Sequence, residues 1–129
     1  MNKNAIAFDF DGVIHDLNDG WQDGKIYGKI NRDVIEAIYE LNKMKIPVFI
    51  CSTRAPSQIV EFWNDQDFKL KAKVIDSDTF FFNDTDYIGV TQRKLPAQLY
   101  VDDRAFKYTG QDKKGILLAA IGKEFKGNV

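Results

Sequence analysis

The fold is decided at residues 5–12, which read AIAFDFDG. The first four residues form a continuous apolar run, which is typical of a strand buried on both faces of a parallel sheet. Asp9 and Asp11 end this run, and Gly12 supplies the backbone freedom that a tight turn requires. A buried strand that ends in two carboxylates predicts a functional site at its carboxyl end, because ligands bind at that edge of parallel sheets.

Strands and helices alternate along the rest of the chain. The predicted strands lie at residues 5–8, 48–51, 73–76 and 99–101. One predicted helix begins at Asn31, a second begins at Pro56, and a third spans residues 116–121. Apolar residues at helical spacing and a stop at Pro47 define the first helix. Residues 79–86 mix three phenylalanines with acidic and turn residues and indicate no element. This order predicts an α/β fold, a three-layer Rossmann-like arrangement with a mainly parallel sheet flanked by helices.

The composition predicts one globular domain over residues 1–129. A formal net charge of −1 excludes a strongly basic nucleic-acid footprint. A single cysteine, Cys51, excludes an intramolecular disulfide, and a single histidine, His15, argues against a histidine-based metal site. Because the sequence has no signal peptide and no apolar run of about 18 residues, we expect a cytoplasmic protein that does not enter a membrane.

Polar side chains follow three of the predicted strands where each strand ends. Asp9 and Asp11 follow the first, Ser52 follows the second, and Asp102 and Asp103 follow the strand at residues 99–101. The carboxyl ends of parallel strands share one edge of the sheet, so these groups are expected to converge. Carboxylates held close together repel one another unless a cation neutralises them, and an all-oxygen ligand set favours Mg²⁺.

The order of these groups resembles the haloacid dehalogenase superfamily. Residues 9–13, DFDGV, resemble its first motif, and Ser52 is similar to its second. Lys94 resembles the third-motif lysine, and Asp102 and Asp103 resemble the acidic fourth motif. A DxD pair alone is weak evidence, whereas four motifs in order form a specific pattern.

A narrower resemblance extends over nearly the whole chain. It rests on GVIH at 12–15, GW at 20–21, STR at 52–54, DDRA at 102–105 and YTG at 108–110, which are similar to the small capless hydrolases of this superfamily found in bacteria and phages. The intervals from Asp11 to Ser52 and from Ser52 to Lys94 have no room for a cap domain. The glycine-containing residues 12–30 are predicted to form a flap instead, with Trp21 as a substrate platform or as packing against the core.

The resemblance implies a phosphatase that acts through an aspartyl-phosphate. Asp9 would be the nucleophile, and Asp11 would protonate the leaving oxygen and then activate water. Ser52 and Lys94 would bind the phosphoryl oxygens. Mg²⁺ would be held by the Asp9 side chain, the Asp11 carbonyl and the pair Asp102/Asp103. The second acid at Asp11 favours phosphoryl transfer, since halide leaves without a proton.

Several residues have two possible roles. Arg93 competes with Lys94, and Thr53 competes with Ser52, because alternate residues of a strand face opposite ways. Arg54 is a substrate contact or a solvated loop residue. His15 contacts substrate or caps a turn, and either acid of the pair Asp102/Asp103 could touch the metal.

The expected substrate is a phosphorylated metabolite, a nucleotide or a polynucleotide end, since a capless site admits bulky molecules. A second copy of the chain could instead cover the open site. Two other functions are alternatives. One is a receiver-like signalling domain, in which the acidic pair would come on the first strand and the phosphorylated Asp on the third, whereas here the pair Asp102/Asp103 comes late. The other is a catalytically silent domain that only binds phosphoryl groups.

Overall fold

The computed structural model describes residues 5–16, 24–102 and 112–113. The described elements are β1 (Ile6–Phe8), α1 (Arg32–Lys43), β2 (Val48–Cys51), α2 (Pro56–Asp65), β3 (Ala72–Val74), β4 (Ile88–Thr91) and β5 (Leu99–Val101). The strands form one five-stranded sheet in the order β3-β4-β2-β1-β5, and every pairing is parallel. The predicted α/β class is confirmed: the strands of the described residues form a parallel sheet flanked by helices.

The sequence pattern does not predict β4. Its four residues are fully buried between β2 and β3, but Gly89 interrupts the apolar pattern, and glycine in a strand weakens the signal. The third strand runs over Ala72–Val74, so it begins one residue and ends two residues earlier than the predicted 73–76. The helix predicted at 116–121 lies outside the described residues.

Two apolar clusters cover the faces of the sheet. Both described helices pack on one face, where Ile38 of α1 and Trp63 of α2 meet Phe8 and Ile50. The opposite face is covered by side chains from the loops, namely Ile75, Phe82 and Leu95, packed with Ala5, Ala7 and Phe49. Alternate residues of β1 and β2 thus enter different clusters, as the period of a strand requires.

Gly89 lies where the loop before β4 packs tightly on the sheet. A Cβ atom at this position would come 2.6 Å from Cδ1 of Ile75 and 2.7 Å from Cε1 of Phe82. We therefore expect Gly89→Ala to lower the free energy of unfolding by about 1–3 kcal/mol through overpacking. Urea denaturation measures this, with the exposed Ser77→Ala as a control that should change stability by less than about 0.5 kcal/mol. Equal stability of the two variants would contradict the packing described.

The strand order places β1 between β2 and β5, so the residues that follow these three strands lie side by side at one edge. Within the described ranges, no helix is long and apolar enough to cross a membrane.

Candidate active site

Asp9 lies directly beyond the carboxyl end of β1. Its amide N–H donates to the carbonyl oxygen of Val101 at 2.9 Å, which continues the hydrogen bonding between β1 and β5. Its Oδ1 atom accepts a hydrogen bond from the amide of Phe10 at 2.8 Å. The backbone therefore fixes the Asp9 carboxylate at the edge of the sheet.

A cavity of about 190 Å³ lies beside Asp9. The residues that line it include Asp9, Lys94, Asp102 and Cys51. The other lining residues are Ala7, Phe8, Tyr100 and Val101. One water takes roughly 30 Å³ of liquid volume, so this space admits a phosphoryl group with a few waters. The fold thus brings together three of the residues that the motifs single out.

The pKa of the Cys51 thiol depends on the charges around this cavity. Burial is the largest cause that raises its pKa, and the negative charge of Asp9 raises the pKa further. The positive charge of Lys94 lowers it, and Asp102 has a smaller raising effect. The two carboxylates and the ammonium group therefore all lie close enough to act on one side chain.

A raised pKa leaves less thiolate at a given pH, so Cys51 should react slowly with iodoacetamide. Asp9→Asn removes a charge that raises the thiol pKa and should speed alkylation at fixed pH. Lys94→Met removes the charge that lowers it and should slow alkylation. Mass spectrometry of the alkylated chain measures both rates. Shifts of the same sign in the two variants would contradict the arrangement of charges described here.

Lys94, rather than Arg93, is the cation at the cavity. The Lys94 ammonium lies 5.1 Å from the centroid of the Tyr100 ring, a cation–π distance. Arg93 donates instead to the carbonyl oxygens of Thr79 and Asp76, each at 2.7 Å, and so holds the loop before β4. The structure places only Lys94 of this pair among the cavity-lining residues.

Asp11 does not line the cavity with Asp9; its carboxylate is held by two buried side chains. Arg54 Nε donates to Oδ2 at 2.7 Å and Arg54 Nη2 donates to Oδ1 at 2.9 Å, a two-point contact that fits guanidinium and carboxylate geometry. His15 Nδ1 lies 2.9 Å from the same Oδ1. The Asp11 side chain is 14% exposed, against 1% for Arg54 and 0% for His15.

The turn at residues 10–15 brings His15 back onto Asp11. Gly12 has a φ of 88°, in the region that favours glycine, and its amide donates to the His15 carbonyl oxygen at 2.8 Å. The carbonyl oxygen of Phe10 accepts hydrogen bonds from the amides of Val13, Ile14 and His15. The glycine predicted to make a tight turn therefore orients the histidine as well.

The same two partners of Asp11 also contact the second part of the flap. Arg54 Nη1 donates to the carbonyl oxygen of Gly24, which also accepts from Gln58 Nε2 at 2.9 Å. The amide of Gly28 donates to His15 Nε2 at 2.8 Å. The sequence alone allows two roles for each of Arg54 and His15, and these contacts place both residues between Asp11 and the flap.

Ser52 and Thr53 differ as the strand period predicts. Ser52 is buried, and its Oγ atom accepts a hydrogen bond from the Arg54 amide at 3.2 Å. Thr53 is exposed, and its carbonyl oxygen accepts from Gln92 Nε2 at 3.1 Å. Ser52 lies one residue beyond the cavity-lining Cys51, so binding of phosphoryl oxygens by Ser52 stays a prediction, as does binding by Thr53.

The donor set suits Mg²⁺ in part. Asp9 and Asp102 offer carboxylate oxygens from two adjacent strand ends to one cavity, and Mg²⁺ is commonly bound by one or two carboxylates with water and phosphate oxygens. No group of three or more His, Cys, Asp or Glu side chains suited to a metal occurs among residues 5–16, 24–102 and 112–113. Asp103 and Trp21 lie outside those residues.

No protein-family model and no curated protein matches this chain. A solved structure of a conserved protein from Bacteroides thetaiotaomicron is similar, with a TM-score of 0.51 and 21% sequence identity over 95% of this chain and 93% of that chain. At this identity the likeness bears on the fold, and it agrees with the Rossmann-like α/β architecture.

Proposed function

We propose that this protein is a Mg²⁺-dependent phosphomonoesterase with Asp9 as its nucleophile. The observation that carries the proposal is the cavity at the carboxyl ends of β1 and β5, which Asp9, Asp102 and Lys94 line together and where the charges of all three act on Cys51. Opposite charges in one small space suit a phosphoryl group, whose anionic oxygens need a cation while the phosphorus needs a nucleophile. The motif order that resembles the haloacid dehalogenase superfamily supports the same reaction.

Asp9 and Asp102 would hold the metal, together with Asp103 and the Asp11 carbonyl implied by the resemblance. A bound Mg²⁺ would offset the repulsion between the Asp9 carboxylate and the phosphate, which otherwise opposes attack. The Lys94 ammonium at the cavity supplies a further positive charge toward the phosphoryl oxygens.

Two displacements at phosphorus would complete the reaction. In the first, a carboxylate oxygen of Asp9 forms a bond to phosphorus while the bond to the leaving oxygen breaks, and Asp11 gives that oxygen a proton. In the second, water attacks the aspartyl-phosphate, Asp11 takes the proton, and inorganic phosphate leaves. Asp9 returns as a carboxylate, so the sum is hydrolysis of one phosphate ester.

The cavity dimensions bear on the substrate class. About 190 Å³ accommodates the phosphoryl group, so the rest of the substrate would lie outside the cavity. Such a site would bind the phosphoryl group through many contacts and the rest of the substrate through few, so its selectivity for the rest of the substrate would be low. A phosphorylated metabolite, a nucleotide or a polynucleotide end all fit this description, and we propose phosphomonoesters as the class.

A panel of phosphate esters with Mg²⁺ tests the proposal. We expect phosphate release from at least one ester, and loss of that release with a chelator. Asp102→Asn should raise the Mg²⁺ concentration for half-maximal activity by about 10-fold or more, since it removes a carboxylate from the cavity. Asp86→Asn, at an exposed loop position, is the matched control and should leave the Mg²⁺ requirement unchanged. Phosphate release that continues at the same rate in the presence of the chelator would show that the reaction does not need a metal ion.

A further inference from the structure

Two buried side chains connect the Asp11 carboxylate to the flap. We infer that Arg54 and His15 are positioning residues, which set the orientation of the Asp11 carboxylate, the group that transfers the proton in the proposed reaction, and make it depend on Gly24 and Gly28 of the flap. The inference rests on the proposed phosphatase function. It adds two residues to the site, Arg54 and His15, and makes the position of Asp11 depend on the flap.

Arg54 is placed to hold Asp11. Its guanidinium group contacts both Asp11 oxygens, at 2.7 and 2.9 Å, and the remaining terminal nitrogen donates to the Gly24 carbonyl oxygen. The guanidinium carbon lies 5.7 Å from the centroid of the Phe10 ring, and the side chain is only 1% exposed. A planar fork fixed at three points determines the plane of the carboxylate it binds, which a lysine could not do.

His15 is fixed in one tautomer. The Gly28 amide can only donate, so His15 Nε2 must be the acceptor of that 2.8 Å hydrogen bond. Nδ1 of the neutral ring then carries the hydrogen and donates to Asp11 Oδ1 at 2.9 Å. The ring is fully buried, stacked at 5.5 Å on Phe10, and Tyr27 meets it edge-on at 5.3 Å. A shift of Gly28 should therefore move the imidazole, and with it the Asp11 carboxylate.

The flap can make these contacts only with glycine at residue 28. A Cβ atom there would lie 2.1 Å from the carbonyl oxygen of Asp16 and 3.0 Å from His15 Nε2. Gly24, the other contact, has a φ of 79° and so also favours glycine. Gly28→Ala must therefore shift the flap away from His15 without changing any atom of Asp11 or Arg54. This makes it a specific probe of the coupling.

Displacement of Asp11 should slow some substrates more than others, whereas a general loss of structure should slow all of them alike. An aryl phosphate has a leaving group that departs without much help from a proton, whereas an alkyl phosphate needs the proton in the transition state. A displaced Asp11 should thus slow alkyl esters far more than aryl esters. Since a misplacement of about 1 Å can cost 10²-fold, we expect losses on the order of 100-fold for alkyl and less than about 10-fold for aryl substrates.

The experiment compares kcat/KM for p-nitrophenyl phosphate and an alkyl phosphate, with Mg²⁺, in the full chain. Arg54→Lys and Gly28→Ala should each show the selective loss on the alkyl ester. His15→Asn retains an N–H near the position of Nδ1, and His15→Gln retains a polar group near Nε2; the first should keep more alkyl activity than the second. Lys25→Ala, an exposed flap position, should leave both rates unchanged.

The single histidine gives a second readout that does not depend on turnover. Long-range ¹⁵N–¹H spectra of the one imidazole should show the Nδ1–H tautomer in the wild-type protein, and Gly28→Ala should shift its Nε2 resonance. An Nε2–H tautomer, or equal losses on aryl and alkyl esters in an active enzyme, would overturn the inference while the phosphatase proposal stands. A wild-type protein that hydrolyses no ester would overturn both.

Discussion

Asp9→Asn is expected to reduce kcat/KM for every phosphate ester that the wild-type protein hydrolyses, by on the order of 10³-fold or more. The carboxamide has nearly the shape of the carboxylate but lacks the charge and the nucleophilic oxygen. The side chain can still accept the 2.8 Å hydrogen bond from the Phe10 amide through its carbonyl oxygen, so the loop should keep its conformation. Steady-state phosphate release and circular dichroism measure the two effects.

Asp78→Asn is the control for this substitution, because it removes one negative charge at an exposed position of the loop after β3. Its activity should equal that of the wild-type protein. An Asp9→Asn variant with more than about a tenth of wild-type activity would show that Asp9 is not the nucleophile.

Arg54→Ala is expected to lower the free energy of unfolding by about 3 kcal/mol, the largest stability effect we predict. The substitution leaves the Asp11 carboxylate, 14% exposed, without the guanidinium that contacts both its oxygens. Removal of one partner from a buried ion pair typically costs about 3–5 kcal/mol because the other charge stays uncompensated. Urea denaturation measures the change.

Lys43→Ala is the matched control, because Lys43 and Glu40 form an ion pair at 3.1 Å with side chains 76% and 68% exposed. Its removal should change stability by less than about 1 kcal/mol. The double variant Asp11→Leu/Arg54→Met should be more stable than Arg54→Ala, since it removes both charges. Similar stability of Arg54→Ala and Lys43→Ala would contradict the burial described for this pair.

The elements that the sequence predicts correctly are those with a strong local pattern. The runs that became β1, β2 and β5 are apolar and end in polar residues, and the helices carry apolar residues at helical spacing. The strand β4 has four residues with glycine at the second, so local pattern could not separate it from the preceding loop. Its place between β2 and β3 is decided by long-range pairing, which one sequence does not reveal.

Some features of the candidate site could be predicted from the sequence and others could not. Asp9 and Asp102 were predicted to converge because each follows a parallel strand, and both line one cavity with Lys94. The partners of Asp11 could not be predicted, because Arg54 is 43 residues away in the chain and its loop had two equally good interpretations. The direction of a side chain beyond a strand end depends on turn geometry, here at Gly12, rather than on spacing.

Trapping of the phosphorylated protein during turnover is the most direct test of the central claim, that Asp9 is a phosphoryl-accepting nucleophile. The wild-type chain is mixed with Mg²⁺ and p-nitrophenyl phosphate, quenched in acid, digested and examined by mass spectrometry. We predict one hydroxylamine-sensitive phosphoryl group on Asp9, absent from Asp9→Asn. Turnover with the phosphoryl group on a different residue, such as Ser52 or His15, would contradict the account.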